Sequence, residues 1–522
     1  MVVRKANEEV GIRQLLEDLP RGQYPNHVGI PPNAYFESPE NLLATPSLLF
    51  HPDQNVAAKI FLGVIGGTIT VGTPLADGRV NRWVTGGTAM GVGDDRHLLS
   101  CAGTRSGKGR SLILPAVLLA SAATSMLVID PKGEIARKSV RYRADTLGQE
   151  TRVFDPFDCT RTDHRFRCNF NCLAKLDPRD RKTFVPNARL IADALAISDN
   201  PYDQHWTETA KSIIATLCAH VATHPNYEQG RDLVTVWRLA NELARRHPDN
   251  PREYWLQREM IDNDAGDGMV RAGAREFYDR TGGEFGSVLS NARKYLGWIA
   301  ISCVQDSLRG ASPDFRDFKR GSVYGCLSLP SMRMDALRGW LRLMVQFFLA
   351  AFEEEEVQTG PQAILIADEF HSLGKMSVFE NAIAQLAGLG LKLWIVLQDL
   401  NQLKVHYEKN FETFIGNAGL IQVFGCNDNS TLQYISEKLG TATSISRSTN
   451  TPTFDQASRQ AATGESWSMS SHPLMTPEEI ALYFSREDKL LRQLILRPGF
   501  RPMITQRCFY DKHELFEGKY DD

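Results

Sequence analysis

The segment that most narrows the folds open to this chain is AGTRSGKGRS, residues 102–111. It lies between the apolar run HLLSCAG (97–103) and the uncharged stretch Ser111–Ile129. A strand that enters a glycine-rich loop and leaves it as a helix is suited to anions, because successive backbone N–H groups and the helix N-terminus point at one place. Against the pattern G-x-x-x-x-G-K-[ST], the Gly-Lys pair stands at Gly107 and Lys108. Ala102 takes the first glycine position, with Gly103 one residue later. Gly109 takes the place of the hydroxyl that usually binds Mg2+, and Ser111 is too far along to be assumed its substitute. The residues expected around the phosphates are Gly103, Thr104, Arg105, Ser106, Gly107, Lys108, Gly109 and Arg110, with Lys108 reaching the β- and γ-phosphates. Without the flanking strand and helix, the same string reads as an ordinary glycine-rich turn.

The order of elements around this loop calls for an α/β fold. SMLVID (125–130) and TRVFDP (151–156) read as further strands with helical stretches between them, which is the arrangement of a parallel sheet. From about 179 the strand signal stops. RLIADALAI, WTETAKSIIATLCAHVATH and LVTVWRLANELARRH have helical spacing instead. Strands return at SVYGCLSLP (322–330), AILIAD (363–368), LKLWIVLQ (391–398) and LIQVFG (420–425). The expected divisions are an N-terminal extension with short strands (1–95), a first part of the nucleotide-binding domain (96–178), an all-helical insertion (179–315) and a second part (316–522). In the extension, a short helix is read around Ile12–Leu19 and a hairpin turn at Ala-Asp-Gly (76–78). The Ser/Thr-rich segment 442–470 reads as a mobile loop.

Three strand ends carry polar chemistry. AILIADEF closes on Asp368 and Glu369, and in open α/β sheets ligands bind at the C-terminal ends of strands. Asp368 is suited to hold Mg2+ and Glu369 to orient or deprotonate an attacking water. LKLWIVLQ closes on Gln398, whose amide both donates and accepts and so suits a γ-phosphate sensor. Asp130, in DPKGE, fits a magnesium shell or a structural turn equally. Each alone has an ordinary alternative as a capping residue; it is their combination with Lys108 that points to catalysis.

Composition removes several classes. With 59 Lys and Arg against 62 Asp and Glu, the formal charge is −3, so a uniformly basic nucleic-acid coat is excluded and any such contact must be local. Nine cysteines without a C-x-x-C suit a reducing compartment. Cys159, His164, Cys168 and Cys172 invite a zinc reading, but their spacing is irregular. The N-terminus has no signal-peptide pattern, and Ser111–Ile129, with its Pro115 and hydroxyl residues, reads as a buried helix and strand rather than a membrane span.

AGTRSGKGRSLILP, DPKGE, FDPFD, DEFHSLGKM, LQDLNQLK, NDNSTLQYISEKLG and HPLMTPEEI occur in that order. Together, over roughly 56–508, they resemble the coupling proteins of type IV secretion, the ring ATPases of conjugation. The resemblance implies a RecA-like domain interrupted by an all-helical one, ATP and Mg2+ as cofactors, and ATP-driven transfer of relaxase–DNA or protein effector substrates into the channel. It implies a homo-hexamer, contact with single- or double-stranded DNA, and inner-membrane secretion components as partners. It places Lys108 on phosphate, Asp368 on Mg2+, Glu369 on water and Gln398 as sensor, and many members also have a glycine where Gly109 stands.

Two departures stand out. Members usually begin with transmembrane helices, which this sequence does not show. Either they were trimmed away, or the chain is cytoplasmic and held at the inner face of the membrane by a separate anchor protein. The stretch 371–390 also lacks the arginine that related rings offer to a neighbour's nucleotide. A non-hydrolysing substrate receptor and a soluble DNA translocase outside secretion remain as alternative functions.

Overall fold

The computed structural model describes residues 34–55, 58–74, 80–197, 203–450 and 464–521. The helix expected at Ile12–Leu19 and the turn at 76–78 lie outside them. The chain divides into two compact units, Met1–Ser121 with Trp394–Tyr520, and Ala122–Leu393 with Asp521–Asp522.

In the first unit, His97–Ala102 lies between two parallel neighbours. Trp394 to Leu397 pairs on one side and Ala418–Phe424 on the other. All six residues of His97–Ala102 are buried, as a central parallel strand requires. Beyond Ala418–Phe424 the sheet turns antiparallel through Arg492–Leu496, Met503–Gln506, Ile60–Ile65 and Thr88–Val92. Two of the strands read as an N-terminal extension therefore widen this sheet, while Thr68–Pro74 and Val80–Thr85 pair as a separate ribbon; all four lie in the same unit as the phosphate loop. The two C-terminal strands escape a reading by hydrophobicity because several of their buried residues are polar. Gln493 donates to the Thr505 hydroxyl at 3.0 Å, and Gln506 accepts from the Gly67 N–H at 2.8 Å. These bonds partner the Gln493 amide nitrogen and the Gln506 amide oxygen, groups that are costly to bury alone.

The second unit holds four parallel strands in the order Ala363–Asp368, Met126–Ile129, Val323–Leu327, Glu150–Phe154. Between Glu150–Phe154 and Val323–Leu327 the chain leaves the sheet for a run of helices from Phe184–Leu195 to Ser302–Ser307. The longest is Gln204–Thr223. Where the chain returns, Phe154, Phe170, Phe315, Phe318 and Phe348 pack ring to ring, with centroids 5.0 Å apart for Phe170–Phe315 and 5.1 Å for Phe318–Phe348. Burying each such ring contributes about 1.5–3 kcal/mol, so this cluster closes the place where the chain leaves the sheet and re-enters it.

The described parts of the segment 442–470, expected to be a mobile loop, are strands. Thr441–Asn450 and Gly464–Pro473 form an antiparallel ribbon, in register from Thr441 opposite Pro473 to Asn450 opposite Gly464. The backbone ladder supplies the order that a Ser/Thr-rich sequence with few apolar anchors does not announce. Among the described residues, no helix is long and apolar enough to cross a membrane.

Candidate nucleotide site

The phosphate loop leaves the buried strand at Gly103, whose N–H bonds the Phe424 carbonyl at 3.3 Å. A Cβ at Gly103 would stand 1.9 Å from the Gly425 carbonyl oxygen, so the close approach of the two strand ends demands glycine. The loop reverses through positive φ at Arg105 (57°) and Gly107 (87°). The helix then opens as a π-turn, Gly109–Ile113, before continuing as Leu114–Leu119. Pro115 has no N–H to return to the preceding turn, and the wider turn relieves that defect. The Ser111 hydroxyl donates to the Gly107 carbonyl at 3.0 Å and is thereby used within the loop.

Four residues outside the motif support it. Arg507 is fully buried, donates to the Ser106 carbonyl at 3.0 Å and lies 4.5 Å from the centre of the Phe424 ring; burial holds its pKa down to about 10. Asp511 takes Arg110 in a two-point pair at 2.5 and 2.6 Å, and the Arg110 guanidinium stacks over Phe509 at 4.4 Å. Sequence reading missed Arg507, Phe509 and Asp511, because nothing local in RCFYDK marks a support for a loop some 400 residues earlier. Gln398, which the sequence offers as a γ-phosphate sensor, accepts at Oε1 from the Thr104 hydroxyl at 2.7 Å, and its backbone N–H donates to Gln402 at 2.9 Å. Asp428 caps the helix Asn429–Leu439 at the Thr431 N–H, and the Thr431 hydroxyl in turn accepts the Leu400 N–H. The segments LQDLNQLK and NDNSTLQYISEKLG are thus two halves of one capped turn.

The loop fits phosphate. The Ser106 hydroxyl is buried without a hydrogen-bond partner among the described residues, and the space beside Gly109 is open. Lys108 is half-buried at the head of the helix. No side-chain hydroxyl is supplied for a cation at position 109.

In the second unit, Asp368 ends its strand half-buried, and Glu369 follows with φ of +60°. A non-glycine residue held there stores strain, as functional turns do. The Glu369 carbonyl accepts the Ser372 N–H at 2.9 Å, and its carboxylate lies 3.4 Å from His371 Nδ1. Arg342, itself buried, grips the following turn through the carbonyls of Leu373 and Lys375, at 3.0 and 2.6 Å. Asp130 is fully buried. Burial, with the nearby charges of Asp368 and Glu134, raises its pKa to about 7, against the lowering effect of the N–H groups of Ala136 and Lys132. Its carboxylate accepts the Ala136 N–H at 2.9 Å at the start of the helix Glu134–Arg141. That contact is the one a structural turn needs.

Nearby, Arg143 is buried against Gln149 Oε1 at 2.5 Å, and the half-buried Arg137 donates to the Cys159 carbonyl at 3.1 Å. Asp155, in FDPFD, gathers the N–H groups of Phe157, Cys159 and Thr160. Cys159, His164, Cys168 and Cys172 do not converge as a metal-ligand group among the described residues.

A sheet of parallel strands with a phosphate loop, a polar residue closing a neighbouring strand and a helical insertion is a RecA-like P-loop arrangement. The chain belongs to the family described as type IV secretory system conjugative DNA transfer, whose profile matches residues 62–520. It is 26% identical over 403 residues to the conjugal transfer protein TraG of Escherichia coli, covering 73% of this chain and 61% of that protein. It is 23% identical over 439 residues to protein VirD4 of Agrobacterium fabrum (strain C58 / ATCC 33970), covering 82% and 60%. The chain thus spans about six tenths of the length of the curated relatives it matches. The fold is shared with the bacterial conjugative coupling protein TrwBdeltaN70 in its unbound monoclinic form (TM-score 0.58, 15% identity, 80% of this chain and 86% of that one). It is likewise shared with the plasmid coupling protein TrwB in complex with ADP and Mg2+ (TM-score 0.56, 15% identity, 80% and 86%).

Proposed function

We propose that this chain is a coupling ATPase that recruits DNA or protein substrates to a type IV secretion channel and drives them with ATP hydrolysis. The observation that carries the reading is the Thr104–Gln398 hydrogen bond, which couples the phosphate loop to the strand-end amide within one compact unit. Lys108 and the N–H groups of 103–110 bind the phosphates of ATP. Asp368 holds Mg2+, directly or through water, and Glu369 orients the attacking water and takes its proton. Gln398 senses the γ-phosphate and passes its presence to Thr104. Asp130 is assigned to the turn rather than to the metal. Mg2+ supplies neutralisation of charge on the β- and γ-oxygens. The working form is a homo-hexamer at the cytoplasmic face of the inner membrane. It is held there by secretion components or a separate anchor, with relaxase–DNA or effector cargo and local contact to DNA.

DNA-stimulated ATP turnover tests the proposal. Lys108→Ala and Glu369→Gln should both abolish it; equal turnover in wild type and both variants would overturn it. A second reading, a receptor that binds nucleotide without hydrolysing it, is favoured by one observation: position 109 has no hydroxyl, and that of Ser111 is already used by Gly107. Wild-type protein that binds nucleotide and cargo but never turns over supports that reading, and robust turnover removes it.

A further inference from the structure

The helix Gln204–Thr223 carries His220 in its last turn, and His224 caps it, its N–H donating to the His220 carbonyl at 2.8 Å, which keeps the two histidines together. Both turn toward Glu259 of the helix Trp255–Ile261. His220 Nε2 lies 2.9 Å from Glu259 Oε1 and His224 Nδ1 3.7 Å from the same oxygen, while the Tyr227 hydroxyl donates to it at 2.5 Å. The ligand atoms of the two histidines and the glutamate all fall within 4.8 Å of one another. Ligands held about 2.1 Å from a tetrahedral ion stand about 3.4 Å apart, so the cluster is already near that geometry. His220 is buried, whereas His224 and Glu259 reach solvent at 22% and 19% exposure, which leaves an entry path.

We propose that His220, His224 and Glu259 form a binding site for a divalent transition-metal ion of the zinc type, pinning two helices of the insertion together. Two imidazoles and a carboxylate are the donor set such ions prefer, with a fourth position for water or Tyr227. Ligation at Nε2 moves the His220 proton to Nδ1, which now accepts from Asn263 Nδ2 at 3.0 Å. The Asn263 amide must then turn to present its oxygen, giving up the 3.0 Å bond that oxygen takes from the Ala265 N–H. An aspartate at 263 would accept both protons at once.

The test is titration of nucleotide-free full chain with Co2+, and with Zn2+ in competition with a chromogenic chelator. Wild type should bind one more ion than His224→Ala or Glu259→Gln, with weak cobalt d–d bands and no thiolate charge-transfer band. Asn263→Asp should bind that ion at least about tenfold more tightly, the size of effect a partner of a ligating histidine exerts. His224 lies near the surface, and unchanged thermal unfolding of its variant in chelator checks that it folds. Equal ion uptake by wild type and both ligand variants, a thiolate-type cobalt spectrum, or unchanged affinity in Asn263→Asp would each overturn the proposal.

Discussion

The Thr104 hydroxyl donates to Gln398 Oε1 at 2.7 Å, joining residues 294 positions apart in the chain. A loop residue thereby reads the orientation of the strand-end amide. Removing the hydroxyl in Thr104→Val costs one partly exposed hydrogen bond, about 0.5–1.5 kcal/mol, and leaves the amide able to rotate. Nucleotide affinity should fall by no more than about tenfold. Gln398→Ala should reduce turnover far more than it reduces affinity. Fluorescent-nucleotide binding and steady-state ATPase assays on the two variants check this split.

Gly103 and Gly109 bracket the loop and make opposite demands. A methyl group at Gly103 meets the Gly425 carbonyl, whereas nothing lies within 4 Å of one at Gly109. Gly103→Ala should lose about 1–3 kcal/mol or more in urea unfolding, as overpacking does. Gly109→Ser should stay within about 0.5 kcal/mol of wild type. The same serine restores the missing hydroxyl, so the Mg2+ concentration that half-saturates ATP turnover should fall.

Glu369 pays for its position with φ of +60°. Glu369→Gly removes the steric penalty, and the gain in stability should be about 0.5–1 kcal/mol, partly offset by the extra freedom of an unfolded glycine. Turnover should be lost in the same variant. Calorimetry beside the ATPase assay separates the two effects, and a glycine variant less stable than wild type would contradict the strain.

Asp94 supplies a pH dependence. Burial pushes its pKa up, but the two-point pair with Arg96 at 2.9 and 3.0 Å, with Arg497 beyond at 3.6 Å, outweighs this and holds it at about 2. A carboxylate depressed in the fold binds fewer protons there than in the unfolded chain. Its contribution is therefore present above the ordinary carboxylate value near 4 and is lost as pH falls toward 2. Asp94→Asn should lower the melting temperature at pH 7 and narrow its gap to wild type as pH approaches 2. A gap constant across that window would contradict the assignment.

The amino-acid sequence by itself determined the parallel strands, the helical interruption and the residues that close three strand ends. Each of these rests on local information: an uninterrupted apolar run for a buried parallel strand, a 3.6-residue period for a helix, a glycine-rich turn for a phosphate. The family signatures were legible for the same reason, since DPKGE, FDPFD and NDNSTLQYISEKLG are turns and caps whose bonds are made within a few residues. Tertiary structure alone decided that Ile60–Ile65 joins the C-terminal pair, that Arg507 and Asp511 brace the phosphate loop, and that Asp130 faces its own helix. Antiparallel pairing across more than 400 residues and a buried arginine on a distant carbonyl leave no periodic trace. Their partners are chosen by backbone hydrogen bonding and by the cost of leaving buried polar groups unpaired, which act only in the folded chain.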